Sequence, residues 1–153
     1  MDNKIKIMLT DGNEDARDML RDALEQTERF IVIASTGNGG EVLRLVEENR
    51  PDLLVLDLLL PGLDGLSILR QMKKENRPQI LVTSNFVNQE TAAEAGMLGA
   101  SMFLSKPYNE TAMIDHLLRL AEKAEAPARG PGPPPFPPGA EDGQSWPSHC
   151  RVC

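Results

Sequence analysis

Apolar residues between positions 4 and 125 follow two different spacings along the chain. Five short runs are rich in β-branched and aliphatic residues, which is typical of buried strands; they span residues 5–10, 30–35, 53–56, 80–83 and 101–105. Between and after these runs, apolar residues recur three and four positions apart, as in amphipathic helices. The clearest stripes are Ala16, Met19, Leu20, Ala23 and Leu24, and Ile114, Leu117, Leu118 and Ala121. Five strands alternating with five helices predict an α/β fold, in which helices cover both faces of a parallel sheet.

Two segments differ from the others in a way that predicts their packing. The run 53–56 contains no polar residue, which indicates a central strand buried on both faces. The helix predicted over residues 88–97 has mostly alanine on its apolar face. We therefore expect it to be the least firmly packed of the five helices.

The composition changes sharply near residue 126 and divides the chain in two. Eight of the 27 residues from 127 to 153 are proline and four are glycine, a composition that favours neither helix nor sheet. The sequence thus predicts a globular domain over 1–126 and a non-globular tail over 127–153. Less favoured readings of the tail are a proline-rich ligand at 133–138 and a zinc site at His149, Cys150 and Cys153, one ligand short of a closed set.

Charge and cysteine content exclude several classes of protein. Sixteen basic residues against 23 acidic ones give a net charge of −7, so we expect no direct binding to nucleic acid. No apolar run approaches the roughly 20 residues that a membrane span needs, and the first residues do not resemble a signal peptide. The two cysteines lie at positions 150 and 153, which argues against a disulfide-built secreted fold. We expect a cytoplasmic protein without membrane partners.

Polar residues follow four of the five predicted strands. Asp11 follows the first, Asp57 the third, Ser84 the fourth and Lys106 the fifth. Ligands of open α/β sheets bind beyond the carboxyl ends of the strands, so we expect these four side chains to share one rim. Two carboxylates suit Mg²⁺, and an ammonium and a hydroxyl suit phosphoryl oxygens.

Several motifs in a fixed order carry a resemblance to a known family. They are RPDLLVLD at 50–57, DLLLPGLDG at 57–65, LGAS at 98–101 and Lys106-Pro107. Over residues 4–125 the chain resembles the receiver domain of two-component response regulators, and most closely the receivers of stage-zero sporulation regulators of endospore-forming bacteria. The resemblance implies a flavodoxin-like doubly wound sheet with strand order 2-1-3-4-5.

The resemblance also implies a chemical role for each matching residue at the strand ends. Asp57 corresponds to the phosphoacceptor, and Asp11, Asp57 and the backbone carbonyl of Leu59 correspond to the ligands of Mg²⁺. Lys106 corresponds to the lysine that binds the phosphoryl oxygens. The implied donor is a phosphohistidine on a histidine kinase or a histidine phosphotransfer protein.

Further positions correspond to the family's switch and to its structural residues. Ser84 matches the switch hydroxyl that binds the phosphoryl group, although the neighbouring Thr83 leaves an ambiguity of one residue, and Phe103 matches the switch aromatic. Pro107, after a cis peptide bond, and Gly65 match structural positions. Phosphorylation is then expected to alter the face formed by helix four, strand five and helix five, which controls a partner or output such as sporulation transcription and which could form a homodimer.

One residue departs from the family's pattern. The family has two adjacent acidic residues after the first strand, whereas here Gly12 follows Asp11. Asn13 or Glu14 could substitute through water. Two hypotheses stay open: a phosphorylated receiver whose Mg²⁺ affinity is uncertain, and a degenerate receiver that acts through protein–protein contacts without phosphorylation.

A hypothesis from another class is an aspartyl-phosphate phosphohydrolase, in which an aspartate after a buried strand is also the nucleophile. Such enzymes need a second aspartate two residues later as general acid, and this chain has Leu59 there. We therefore expect a signalling domain that at most phosphorylates and dephosphorylates itself, not an enzyme acting on small substrates.

Overall fold

The computed structural model describes residues 4–75, 77–85 and 88–125. The tail predicted over 127–153 lies outside these residues, and so do its proline tract and its cysteines. Five parallel strands form one sheet: β1 (Ile5–Thr10), β2 (Phe30–Thr36), β3 (Leu53–Asp57), β4 (Gln79–Ser84) and β5 (Met102–Ser105). Their order is β2-β1-β3-β4-β5, which confirms the predicted flavodoxin-like topology.

Within the described residues, five α-helices connect and follow the strands: α1 (Glu14–Gln26), α2 (Val42–Asn49), α3 (Gly65–Gln71), α4 (Gln89–Met97) and α5 (Glu110–Glu125). Four of them begin at a short polar side chain that accepts a hydrogen bond from the backbone three residues on; these caps are Asn13, Asp64, Asn88 and Asn109. Such caps pair N–H groups that a helix start leaves unpaired. They fix α1 and α3 directly after the loops that follow β1 and β3.

The core lies on both faces of the sheet. On one face, residues such as Met8, Leu54 and Val82 pack beneath α2, α3 and α4; on the other, residues such as Ile7, Val55 and Leu81 pack beneath α1 and α5. Every residue of β3 is buried. This confirms the central strand that the apolar run predicted.

Helix α4 has the sparse apolar face that its alanines predicted. Its buried residues are Ala92 and Ala95. Polar contacts to the region of α3 supplement them: Arg70 pairs with Glu94, and the Arg77 guanidinium donates to the carbonyl of Leu98 at 2.8 Å. The position of α4 therefore depends on few contacts.

Two glycines allow the loops at the carboxyl end of the sheet to pack closely. A Cβ at Gly65 would lie 2.7 Å from the Cα of Leu58, and a Cβ at Gly39 would lie 1.8 Å from the carbonyl oxygen of Leu63. No side chain fits at either position. Gly65 is the position for which a structural role is predicted from the sequence, whereas the contact at Gly39 is not predicted from it.

Candidate functional site

The ammonium of Lys106 lies between the two predicted carboxylates. Its Nζ is 2.9 Å from Oδ2 of Asp11 and 2.9 Å from Oδ2 of Asp57. The side chains are largely buried, with 16% of Lys106, 12% of Asp11 and 6% of Asp57 exposed. The carboxyl ends of β1, β3 and β5 therefore bring together three of the four side chains predicted to share this rim.

Backbone donors hold the other oxygen of each carboxylate. Oδ1 of Asp57 accepts from the N–H of Leu59 at 3.0 Å, and Oδ1 of Asp11 accepts from the N–H of Asn13 at 2.9 Å. Both are turns in which an aspartate bonds the backbone two residues on. The two carboxylates are thus oriented from both sides, by the backbone and by the ammonium.

Two buried or half-buried side chains that the sequence did not single out hold the backbone of these aspartates. The Thr10 hydroxyl accepts from the N–H of Asp57 at 2.9 Å and donates to the carbonyl of Val55 at 3.0 Å. Arg17 donates to the carbonyl of Asp11 at 3.0 Å. In the sequence, Thr10 is an ordinary β-branched strand residue and Arg17 an ordinary polar helix residue, so neither gave a signal.

The surroundings of the ammonium keep it charged. Burial alone would lower the pKa of Lys106, but its hydrogen bonds to Asp57 and Asp11 and their negative charges outweigh burial and raise it. Since an unperturbed lysine is already protonated at neutral pH, Lys106 presents a fixed positive charge to the cavity.

Tyr108 is a further residue that the sequence did not single out. It follows Pro107, and the Lys106–Pro107 peptide bond is cis, as predicted. Burial, with a smaller contribution from the charge of Asp11, raises the pKa of Tyr108 to about 12. Its phenol therefore stays protonated beside the acidic pair.

A cavity of about 510 Å³ opens above these groups. It is lined by Asp11, Gly12, Asn13, Ala16, Met19, Asp57, Leu59, Asn85, Lys106, Pro107, Tyr108 and Glu110. Charged residues, among them Asp57 and Lys106, share this lining with apolar ones such as Met19 and Leu59, so both charged groups are accessible from the cavity. Glu14 is exposed and does not line the cavity, which leaves Asn13 as the better placed of the two predicted substitutes for a second acid.

Gly12 lines this cavity without being required by the backbone. Its φ lies outside the left-handed region, and the nearest atom to a Cβ built there is Cδ of Pro61 at 3.8 Å. A side chain would therefore fit. The consequence of this glycine is chemical, because the position supplies no carboxylate.

Ser84 and Thr83, the two candidates for the switch hydroxyl, lie on opposite faces of the sheet. Val82 and Phe103 are register partners in the core beneath α2, α3 and α4, whereas Leu81 belongs to the core beneath α1 and α5. Because side chains alternate along a strand, Ser84 shares the face of Phe103 and Thr83 points to the opposite face. Both hydroxyl residues are buried, and Ser84 is not among the residues that line the cavity.

The comparisons with known proteins agree with this geometry. The family model of the response regulator receiver domain matches residues 7–118. The chain belongs to the response regulator receiver domain family.

Solved receivers share the fold at low sequence identity. A LuxR-family two-component response regulator from Aurantimonas sp. SI85-9A1 is 26% identical, with a TM-score of 0.73 over 79% of this chain and 87% of that one. The receiver of AraT from Geobacillus stearothermophilus is 25% identical, with a TM-score of 0.71, and the match covers 80% of this chain and 97% of that one. The signal receiver domain of the response regulator NarL from Mycobacterium tuberculosis is 24% identical, with a TM-score of 0.73, and the match covers 78% of this chain and 98% of that one.

This membership makes the chain a receiver of two-component signalling. Receivers in general interact with histidine kinases or phosphotransfer proteins, and in general bind Mg²⁺ at the acidic site. In the part of this receiver that the structure describes, no helix is long and apolar enough to cross a membrane.

The donor set of this receiver suits Mg²⁺ with few protein ligands. Among the described residues, no group of three or more His, Cys, Asp or Glu side chains is arranged to hold a metal. Two carboxylates, Asp11 and Asp57, do face the cavity, and Mg²⁺ commonly takes one or two carboxylates and completes its shell with water and phosphate oxygens. The space beside Gly12 leaves room for such waters, so the residues fit an ion that keeps much of its water shell.

Proposed function

We propose that this receiver accepts a phosphoryl group on Asp57 from a phosphohistidine of a histidine kinase or a phosphotransfer protein. The observation that carries the proposal is the position of Lys106, whose ammonium lies 2.9 Å from carboxylate oxygens of both Asp11 and Asp57. A buried carboxylate beside a fixed cation and an open cavity is suited to attack phosphorus, because phosphoryl transfer depends chiefly on positioning and on neutralising charge.

In the proposed step an oxygen of Asp57 forms a bond to phosphorus while the P–N bond of the donor breaks. The electron pair of that bond stays on the donor imidazole, and the product is an acyl phosphate on Asp57. Lys106 offers its charge to the phosphoryl oxygens, and the N–H of Leu59 keeps the carboxylate oriented. Asp11, Asp57 and the carbonyl of Leu59 would hold Mg²⁺, which when bound supplies further positive charge to the phosphoryl oxygens.

The signal is proposed to pass from Asp57 to the face formed by α4, β5 and α5. Ser84 is the candidate donor to the new phosphoryl oxygens, and Phe103 is a buried aromatic on the same face of the sheet. Because few contacts hold α4, a change at Ser84 could shift this helix at small energetic cost. The altered face would bind a partner or a second copy; the proposal of sporulation transcription as the output rests on the sequence resemblance alone.

The second candidate is a receiver that acts through protein contacts without phosphorylation. The observation that favours it is Gly12, which leaves the site with two carboxylates where the family has three. A catalytic role on small phosphoesters has less support, since Leu59 places an exposed apolar side chain where a phosphohydrolase needs a general acid.

Intact mass of the full chain after incubation with a small phosphodonor and Mg²⁺ tests the proposal. We expect the mass of one phosphoryl group to be added to the natural protein and not to Asp57→Asn. Asp52→Asn is a matched control, because this carboxylate lies at the other end of β3 and accepts from the backbone N–H of Lys6. A gain in the Asp57→Asn variant would exclude Asp57 as the acceptor, and no gain in the natural protein would support the second candidate.

A further inference from the structure

The backbone pairing of β1 with its two neighbours ends at different places. With β2, pairing continues to Thr10 and Thr36, whereas with β3 it covers Ile7 to Leu9 and ends at the pair of Leu9 and Val55. The last residues of β3, which include Asp57, therefore lie beyond the backbone ladder that joins them to β1.

The Thr10 side chain bridges this gap. Its hydroxyl donates to the carbonyl of Val55 at 3.0 Å and accepts from the N–H of Asp57 at 2.9 Å. Thr10 is buried, with 2% of its surface exposed. One hydroxyl thus uses both its donor and an acceptor lone pair to continue the link between the strands where the backbone cannot.

This bridge acts on the separation of the two carboxylates at the site. Asp11 is the next residue after Thr10 in the chain, and Asp57 bonds the Thr10 hydroxyl through its own N–H. Lys106 can contact both carboxylates at 2.9 Å only while the ends of β1 and β3 keep their relative position. A displacement of a few tenths of an ångström at either strand would lengthen one of these contacts.

We propose that Thr10 is a positioning residue for phosphoryl transfer, whose hydroxyl fixes the end of β3 against β1 and so places Asp57 opposite Lys106 and Asp11. This inference rests on the proposed function of Asp57. It assigns a role in the reaction to a residue that faces neither the phosphodonor nor the cavity.

Three variants separate the hydroxyl from the shape of the side chain. Thr10→Val keeps the volume and removes the hydroxyl, so the N–H of Asp57 and the carbonyl of Val55 lose their partner. Thr10→Ser and Thr10→Ala both remove the methyl group, and they differ from each other only in the hydroxyl. The Ser and Ala pair decides the question even where Thr10→Val folds poorly.

Thr36→Val is the matched control. Thr36 is also a buried threonine at a strand end, and its hydroxyl likewise donates once, to Glu41 at 2.7 Å, and accepts once, from the N–H of Asn38 at 3.0 Å. Its bonds serve the loop between β2 and α2. We expect Thr36→Val to lower stability without slowing phosphorylation.

The experiment measures two quantities on the full chain: the rate of phosphorylation by a small phosphodonor and the hydrogen-exchange rate of the Asp57 amide. Thr10→Val and Thr10→Ala are expected to slow phosphorylation by roughly ten- to a hundred-fold, the range that small misplacements of reacting groups produce. They are also expected to speed exchange at Asp57 by about tenfold or more, as for an amide that has lost its hydrogen bond. Thr10→Ser should stay within about threefold of the natural protein in both.

Each outcome decides the inference. Equal rates for Thr10→Ser and Thr10→Ala, or for Thr10→Val and Thr36→Val, would overturn it. If the natural protein gains no phosphoryl group, the proposed function fails separately. The exchange rate of the Asp57 amide then still shows whether the hydroxyl holds the strand end, and unchanged exchange in Thr10→Val would overturn that part too.

Discussion

Lys106 and Asp57 stand 49 residues apart in the chain, and their side chains meet at 2.9 Å in a largely buried site. The same ammonium also contacts Asp11, so one positive charge faces two carboxylates. In the described part of the chain, Asp11 and Asp57 form no ion pair with any residue other than Lys106. The negative charge of the two carboxylates therefore exceeds the positive charge beside them. A site of this composition should be sensitive to the loss of the one positive charge it has.

Replacing Lys106 by Met should therefore destabilise the protein near neutral pH. The variant leaves two neighbouring carboxylates buried without a cation, which we expect to cost about 1–3 kcal/mol. Urea unfolding near neutral pH measures this loss. Lys73→Met is the control, because the ion pair of Lys73 with Glu47 is exposed and should contribute less than about 1 kcal/mol; equal losses in the two variants would contradict the prediction.

The second prediction concerns Mg²⁺ affinity and uses position 12, where the backbone leaves space for a side chain. Gly12→Asp should strengthen Mg²⁺ binding by about tenfold or more, since affinity rises with the number of charged oxygen ligands. The same substitution should lower stability without the metal, because three carboxylates would then surround Lys106. Calorimetric titration with Mg²⁺ measures the affinity.

Gly12→Ala is the matched control for that titration. It adds a Cβ at the same place, where the nearest atom is 3.8 Å away, but it adds no charge. We expect its Mg²⁺ affinity to equal that of the natural protein. If Gly12→Ala bound Mg²⁺ more tightly than the natural protein, or if Gly12→Asp bound it no more tightly, the missing carboxylate would not be what limits the affinity.

Much of the site could be predicted from the sequence because of one geometric rule. The carboxyl ends of parallel strands lie along one edge of the sheet, so finding the strands was enough to bring Asp11, Asp57 and Lys106 together. The placement of Ser84 on the same face of the sheet as Phe103 depends on the register of β4 against β5, since a shift of one residue reverses the face of a side chain. Sequence periodicity does not fix that register.

Other parts of the site depend on contacts that a sequence does not encode locally. Thr10 can bridge β1 and β3 because the backbone pairing of these strands ends one residue before it, and the pKa of Tyr108 is raised because the phenol is buried. Gly39 approaches Leu63 across two loops that are distant in sequence. Each of these relations arises from tertiary packing, whereas composition and spacing describe one segment at a time.

Arg77 gives a third prediction, which concerns the mobility of α4. Its guanidinium donates to Met72 at 2.9 Å near the end of α3 and to Leu98 at 2.8 Å just after α4. A cation at these carbonyl ends stabilises both helices. Arg77→Met should speed hydrogen exchange in α4 more than in α1, and should lower the free energy of unfolding by about 1–3 kcal/mol.

Arg70→Met is the control for the Arg77 variant. Arg70 also connects α3 to α4, through its ion pair with Glu94, but both side chains are about half exposed. Its loss should change stability by less than about 1 kcal/mol. A larger effect on α4 exchange from Arg70→Met than from Arg77→Met would mean that the surface ion pair, and not the bonds to the helix ends, holds this helix.

Tyr108 gives the last prediction, and it can be tested directly because it is the only tyrosine in the chain. Burial, and secondly the charge of Asp11, raises its pKa to about 12, against an ordinary value of 10.0. At pH 11 roughly a tenth of Tyr108 should therefore be ionised, compared with roughly nine tenths of an ordinary tyrosine. Ultraviolet absorbance of the tyrosinate measures the fraction, and circular dichroism at the same pH establishes that the protein is folded.

The raised pKa of Tyr108 also determines whether the free energy of unfolding rises or falls at alkaline pH. The folded protein keeps the phenol proton up to about pH 12, whereas the unfolded chain loses it near pH 10. Stability from this group is thus complete below pH 10 and is lost as pH rises from 10 to 12. Asp11→Asn should lower the titration midpoint of Tyr108 in the folded protein, because it removes one of the charges that raise this pKa. The midpoint should stay above that of the unfolded chain, because burial is the larger cause of the raised pKa. A midpoint near 10 in the folded protein would show that the phenol is not shielded from water beside the acidic pair.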